Sequence, residues 1–424
     1  MTQLPASPPL DASPAAPGPD APPPGRTSLR TVLGSVDRPF LALDCVVRLP
    51  TAMFPLGLLL HVADLTGSYG LGGLAVAALS IGGGVGGPLV GLAADRFGQR
   101  AVAVAVTLVQ VAALGTVLAL HGNEPLAVTI ALVALVGLAN PQAGAMARSR
   151  WSVVARRRRP AGDERGFVGS AMAFEGAVDE AAFVVGPVLV STLAALVSPT
   201  AGLLVALVLA AVAQTGFGLH PSALPGHART TATTPTAPLP HAYVAALLLA
   251  MGAVGVVFGA TSTGVAARMA LAGTGELTGP VYALMGIGSA VTGLLTTRLP
   301  RRFSLELRIV AAGVLLVGAG AVVAAVAAPV PLAVGNLLLG IALAPAMVSS
   351  YALADRVTPR GRGTTMMTAL ATANVVGVAA GSAVAGVLVD GSGPTAALLV
   401  DCAAGVLVLV AGLGALRARG SRHS

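Results

Sequence analysis

Three observations predict an all-α polytopic membrane protein, with twelve transmembrane helices in two pseudo-symmetric six-helix bundles. Charges are too sparse to coat a soluble globule, apolar stretches of membrane-crossing length recur, and arginine alternates between successive connections. Of 424 residues, 55% are hydrophobic and 10% charged, and the mean hydropathy is +0.84. A soluble domain carries roughly 25% charged residues because its surface faces water. Lipid is therefore the expected solvent for most of this chain.

The net charge of +8 raises the question of nucleic acid. All 25 basic residues are arginine, however, and they cluster in short segments between apolar spans. Aromatic residues make up only 3%, leaving little to stack on bases. No nucleic-acid partner is expected. Cys45 and Cys402 both fall in apolar spans, where they read as small core residues. Residues 1–30 hold nine prolines by position 24 and no apolar core, so they read as a disordered tail and not as a cleavable signal.

A helix needs about 20 apolar residues to cross the hydrocarbon. That ruler places spans near 38–60, 70–94, 101–120, 125–147, 166–196 and 201–219, then 242–266, 277–297, 306–328, 331–353, 363–389 and 395–416. Odd-numbered connections are poor in arginine, as in HGNEP, SPT and DGSGP; even-numbered ones are rich, as in DRFGQR, RSRWSVVARRRRPAGDER, RLPRRFSLELR and DRVTPRGR. The positive-inside rule puts the rich connections and both termini in the cytoplasm. Only Arg48 and Arg268 then fall outside cytoplasmic segments. The expected organisation is a Pro-rich tail at 1–36, a bundle at 37–220, a flexible linker at 221–240, a second bundle at 241–416 and a basic tail at 417–424.

The halves repeat one another. Gly91-Leu-Ala-Ala-Asp95-Arg96-Phe-Gly98-Gln-Arg100 follows span two, and Gly293 to Arg302 follows span eight with Gly and Arg in matching places. Span five carries Ala182-x3-Gly186-Pro187-x3-Ser191, and span eleven carries Gly377-x3-Gly381-Ser382-x3-Gly386 at identical spacing. The run Gly82 to Gly87 contains a formal GxGxxG, but no strand precedes it. Gly83, Gly87 and Gly91 read instead as a helix-packing stripe.

The segment Gly91 to Arg100 resembles the signature loop of the major facilitator superfamily. In that family the loop latches the cytoplasmic side between transport states. Gly91 would let the helix end approach a neighbour, Gly98 would permit a tight turn, and Asp95 would accept from amides at a neighbouring helix start. Arg96 and Arg100 would hold the loop at the headgroup level. The bland alternative is a solvated turn without a gating role. The second-half copy has Thr297 where the acid should stand. Gly186-Pro187 partly resembles the family's antiporter signature, which favours export; physically, it also reads as an ordinary kinked helix.

Charges inside spans carry the most weight, because an ion at bilayer depth costs at least about 2.5–3.5 kcal/mol. Asp44 and Arg48 stand four apart on one face of span one and can pair. Glu175 and Asp179 share a face of span five, with Glu180 turned about 100° away. Three span-five acids against one membrane arginine leave at least one without a partner, and an unpaired buried carboxyl favours its protonated form. Asp179 and Glu175, then Glu180, are the expected proton carriers; a structural salt bridge is the alternative for Asp44 and Arg48. Many proton-driven exporters of the family carry an arginine within span four, whereas none stands here between Ala131 and Gln142. Coupling through span five therefore rests on burial cost.

The resemblance makes spans one, four, seven and ten the lining of a central cavity. Its polar residues would be Asp44, Arg48, Asn140, Gln142, Thr261, Asn336, Ser350 and Tyr351, each of which also fits an interhelical hydrogen bond. A mildly acidic, aromatic-poor cavity suits a cationic or amphiphilic compound. The six histidines form no HExxH pair, and without lysine there is no Walker motif. No enzyme activity, cofactor or metal is expected. The expectation is a multi-pass plasma-membrane transporter, working as a monomer by alternating access and coupling protons to export of a small molecule. An importer or facilitator on the same fold, and a non-transporting receptor or partner subunit, are the alternatives.

Overall fold

A computed structural model describes residues 29–120, 124–158, 164–226, 241–296, 303–358 and 363–420. Among these the secondary structure is entirely helical. In hydrocarbon a backbone amide finds no water, so each passage must satisfy its own hydrogen bonds. Among the described residues eleven helices are long and apolar enough to cross a membrane: Arg38–Thr66, Tyr69–Phe97, Gln99–Ala119, Leu126–Ala155, Ser170–Leu196, Ala201–Leu219, His241–Leu271, Leu305–Ala325, Pro329–Ala354, Met366–Ser392 and Pro394–Ala418. The expected eighth passage is the 19-residue helix Thr278–Thr296, which ends at the undescribed segment 297–302. With it included, the passages are spans one to twelve in chain order.

Each half has its own core. Met53, Leu58, Val76, Leu114, Val133 and Leu203 pack together in the first, and Leu247, Met285, Leu316, Leu343 and Leu398 in the second. Leu92, Val208, Val314 and Val387 face outward. That inversion suits a protein whose solvent is lipid.

The repeated motifs occupy matching places. A Cβ on Gly186 of span five would lie 2.9 Å from Ala52 of span one, and one on the matching Gly381 of span eleven would lie 2.3 Å from the Val256 oxygen of span seven. Both repeat helices also bridge the halves. Span five meets span eight where Gly279 faces Pro187 and Ser191, and span eleven meets span two where Gly73 faces Ser382. These approaches gather at the arginine-poor end, whereas Gly91, toward the arginine-rich end, faces open space.

Several expectations need correction. The packed stripe of span two is Gly82 and Gly86, not Gly83, Gly87 and Gly91. A Cβ at Gly82 or Gly86 would stand 2.0 or 2.1 Å from the Ala134 or Leu138 oxygen of span four. One residue of register turns the helix face by about 100°. Span four is not continuous: its helix stops at Leu138 and restarts at Ala143. Pro141 disfavours helical backbone at Asn140, and Gln142 follows at φ 53°. Span one breaks likewise between Val46 and Leu49, leaving Arg48 at the bend.

The tail and linker boundaries shift too. Leu29–Leu33 is helical with Val32 buried, although 1–36 was expected to be disordered. Span twelve's helix runs on to Gly420, into the expected basic tail. Of the expected linker, 221–226 lies against the signature loop, where Gln99 N donates to the Leu224 oxygen at 2.9 Å. Residues 1–28, 227–240, 421–424 and the second loop copy from Thr297 to Arg302 lie outside the described residues.

Candidate functional site

Spans one, four and five converge on Arg48. The bend after Val46 places its guanidinium between Asp44, 3.2 Å away, and Glu175 of span five, with which it is paired. Its Nε lies 3.0 Å from Asp179 Oδ1. Asp179 Oδ2 is paired in turn with Arg148, on the continuation of span four beyond its break. Glu175 is held at both oxygens, since Trp151 Nε1 donates to Oε1 at 2.5 Å. Trp151 is wedged among Phe40, Phe167 and Phe174, which fixes the indole and its donor.

Burial within this group is graded. Asp44 and Glu175 are fully enclosed and Arg48 is 7% exposed, while Asp179 and Arg148 are 31% and 39% exposed. Asp179 is therefore the most exposed carboxylate of the group. Asp44 Oδ2 has no hydrogen-bond partner among the described residues.

This geometry corrects the expected charge count. Arg148 is a second arginine at the cluster, so Asp179 is doubly paired and Glu175 is paired and hydrogen-bonded. Glu180, half-buried, is the span-five acid that makes no ion pair among the described residues. Arg148 and Trp151 were read as part of a cytoplasmic connection. A signal was present in the spacing of Ala147, Trp151 and Ala155, an i, i+4, i+8 row that is buried here.

The cavity candidates divide. Asn140, Gln142 and Tyr351 are partly exposed. Asn140 Oδ1 accepts from the Gln142 amide at 3.4 Å, spanning the break in span four. Thr261, Asn336 and Ser350 are fully enclosed and do not line an open surface. Thr261 donates to the buried Asp401 at 3.0 Å, and Asn336 Nδ2 donates back one turn to Leu332 at 2.9 Å. Each lies on the packed side of its helix, where neighbours exclude solvent. Arg268, the other arginine expected within the membrane, donates to the Ala324 and Val326 oxygens and to Thr395 Oγ1. It thus serves the carbonyls at the end of span nine.

At the signature loop, Gly98 has φ 89° and a Cβ there would lie 3.1 Å from the Gly226 nitrogen. Arg100 donates to the Leu219 oxygen at 3.0 Å, which ties the loop to span six. Arg96 lies over the neighbouring Phe97 ring at 5.2 Å. Asp95 is exposed and caps no helix among the described residues. Two residues missed in the sequence organise this corner: buried Arg150 donates to Gln99 Oε1 at 2.8 Å and to the Phe217 oxygen at 3.1 Å. Among the described residues no group of His, Cys, Asp and Glu is arranged to hold a metal.

The fold is similar to that of the nucleoside transporter NupG, 14% identical with a TM-score of 0.71, covering 90% of this chain and 100% of that one. An auto-inhibited POT family peptide transporter is 11% identical with a TM-score of 0.67, covering 92% and 96%. The human organic anion transporter MFSD10 (TETRAN) is 18% identical with a TM-score of 0.57, covering 91% and 100%. These identities show the fold alone. Among curated proteins none matches the sequence. The sequence profile of the Major Facilitator Superfamily matches residues 45–329, more than half of the chain, and the protein belongs to that family.

Proposed function

We propose that this transporter couples protons to the export of a small cationic or amphiphilic compound by alternating access. One observation carries the reading: Asp44, Glu175 and Asp179 share two arginines, Arg48 and Arg148, inside a membrane-spanning half. Three carboxylates against two guanidiniums leave one negative charge, which a single proton neutralises. An uncompensated charge in this setting is costly, and binding one proton removes it.

Asp179 is the acceptor in this scheme, because at 31% exposure it is the most accessible of the three carboxylates. Its protonation weakens the hold of Arg148 and Arg48, freeing spans four and five to shift against span one. Glu180, adjacent and without an ion pair among the described residues, is the relay. The substrate competes for Asp179, which suits a positive group. Gly186-Pro187, seated on span one, supports export. The arginine-rich end, carrying both termini, is assigned to the cytoplasm of a plasma-membrane monomer.

Everted membrane vesicles with a preformed pH gradient and a fluorescent pH probe test the reading. A cationic amphiphile should dissipate the gradient with the parent chain and not with Asp179→Asn. Full pH-driven transport in both Asp179→Asn and Glu175→Gln would rule the cluster out. The second reading is an importer or facilitator on the same fold. Labelled nucleosides and small peptides, entering right-side-out vesicles without proton release, would support it.

A further inference from the structure

We propose that Asp390 is a positioning residue for the transport cycle, forming a second latch at the opposite end of the span two–span eleven pair from Asp95. This inference rests on the alternating-access reading above. Asp390 sits in the last turn of span eleven, and its carboxylate meets the start of span two, 320 or more residues away in the other half. Oδ1 accepts from Tyr69 N at 3.0 Å, and Oδ2 accepts from Gly70 N at 2.8 Å and from Ser68 Oγ at 2.5 Å.

The chemistry of each partner fits. The first amides of a helix lack intrahelical acceptors and carry the positive end of its dipole, so a carboxylate there is held by charge and by hydrogen bonds together. Ser68 Oγ accepts from Leu71 N at 3.1 Å as the cap of span two, which directs its own proton to Asp390. The backbones around the contact are bare. A Cβ on Gly70 would lie 2.6 Å from Asp390 Oδ2, and one on Gly386 would lie 2.6 Å from the Tyr69 oxygen. Three donors converge on one acid only because these two positions carry no side chain.

The pair has two ends, and among the described residues only the Asp390 end holds a hydrogen-bonded acid. Spans two and eleven run antiparallel, so the last turn of span two, with Asp95, is at the end where the helix of span eleven begins at Gly363. Each helix therefore carries an acid in its last turn, at the end where the other helix starts. Here the Asp390 end is engaged, while Asp95 is exposed and Gly91, one turn before it, faces open space. A rocking motion that brings Asp95 onto span eleven must draw Tyr69 and Gly70 away from Asp390. The two acids hold alternate conformations, and their balance sets which side of the cavity is closed.

The test uses the full chain in right-side-out vesicles with Cys45→Ala and Cys402→Ala, and with Ser191→Cys as reporter at the buried span five–span eight contact. A membrane-impermeant maleimide reads how often the arginine-poor end opens. Asp390→Ala should speed labelling about fivefold or more, as loss of charge-assisted hydrogen bonds implies, and Asp95→Ala should slow it. In the same background, Ser68→Cys with Asp390→Cys should cross-link on oxidation, slow the reporter below the parent rate, and recover on reduction. A rate that responds to Asp95→Ala but not to Asp390→Ala overturns the latch, as does a cysteine pair that fails to cross-link. A reporter unmoved in every variant overturns alternating access and the latch together. A chain that shows opposite shifts yet moves no proton keeps the latch and loses the export reading.

Discussion

Trp151, on the second segment of the broken span four, donates its indole N–H to Glu175 of span five at 2.5 Å. The contact holds one oxygen of a carboxylate whose other oxygen is paired with Arg48. Trp151→Phe keeps the aromatic packing and removes the donor. It should cost about 1–3 kcal/mol of stability, the penalty for leaving a buried acceptor unmade. Thermal unfolding in detergent reads that loss, and Trp151→Phe with Glu175→Gln should recover part of it.

Arg48 is the hub of three carboxylates, so truncation strands buried charge. Arg48→Met should destabilise the chain by about 3–5 kcal/mol. Adding Asp44→Asn and Glu175→Gln removes the stranded charges and should restore monodisperse, folded protein in size-exclusion chromatography. That triple variant should remain unable to accumulate substrate against a pH gradient. Recovery of transport along with folding would assign the cluster a purely structural role.

Asp179 and Glu180 are neighbours with different surroundings, one doubly paired and the other without an ion pair among the described residues. Asp179→Asn should abolish pH-driven accumulation while leaving exchange of labelled substrate down its own gradient. Glu180→Gln should slow pH-driven transport without abolishing it. Making the cytoplasmic side acid relative to the outside reverses the driving force, so export should fall in the parent chain and stay unchanged in Asp179→Asn. Counterflow in proteoliposomes separates these outcomes.

Packing of span two against span four leaves no room at Gly86, where a Cβ would stand 2.1 Å from the Leu138 oxygen. Gly86→Ala should cost about 1–3 kcal/mol, the range for overpacking. Gly91→Ala meets nothing within 4 Å and should stay within about 0.5 kcal/mol of the parent. Melting curves of the two variants, measured side by side, check the register of the stripe.

Gln142 adopts φ 53°, the sole positive φ outside glycine among the described residues. Left-handed backbone costs an ordinary residue roughly 1–2 kcal/mol. Gln142→Gly should therefore be neutral or stabilising, and Gln142→Val should destabilise by about 1–3 kcal/mol. If the break serves transport, Gln142→Gly will lower the transport rate while the melting temperature holds or rises.

Much of the fold was legible in the sequence, and the site only in part. Asp44 and Arg48 were readable as a pair because four residues on one helix form a local relation. Glu175 and Asp179 were readable as one face for the same reason. Arg148 and Trp151 were not, because they lie beyond Pro141 in a segment whose arginines resemble a connection. Asp390 looked like one acid in a short polar turn. Its meaning depends on a helix start more than 300 residues earlier in the chain. The stripe of span two was misplaced by one residue, since small residues stand at both Gly82 and Gly83 and only the neighbouring helix selects between them.

By itself the sequence determined the helical class, the order of the membrane passages, the repeat between halves and the arginine-rich side. Each of these follows from a demand that hydrocarbon or the membrane surface makes on a short window of residues. Tertiary structure decided which buried charges meet, which glycines touch and that Asp390 reaches the start of span two. Arg48 and Glu175 are 127 residues apart, and their contact depends on a bend in one helix and the packing of another. No local window of sequence contains that geometry.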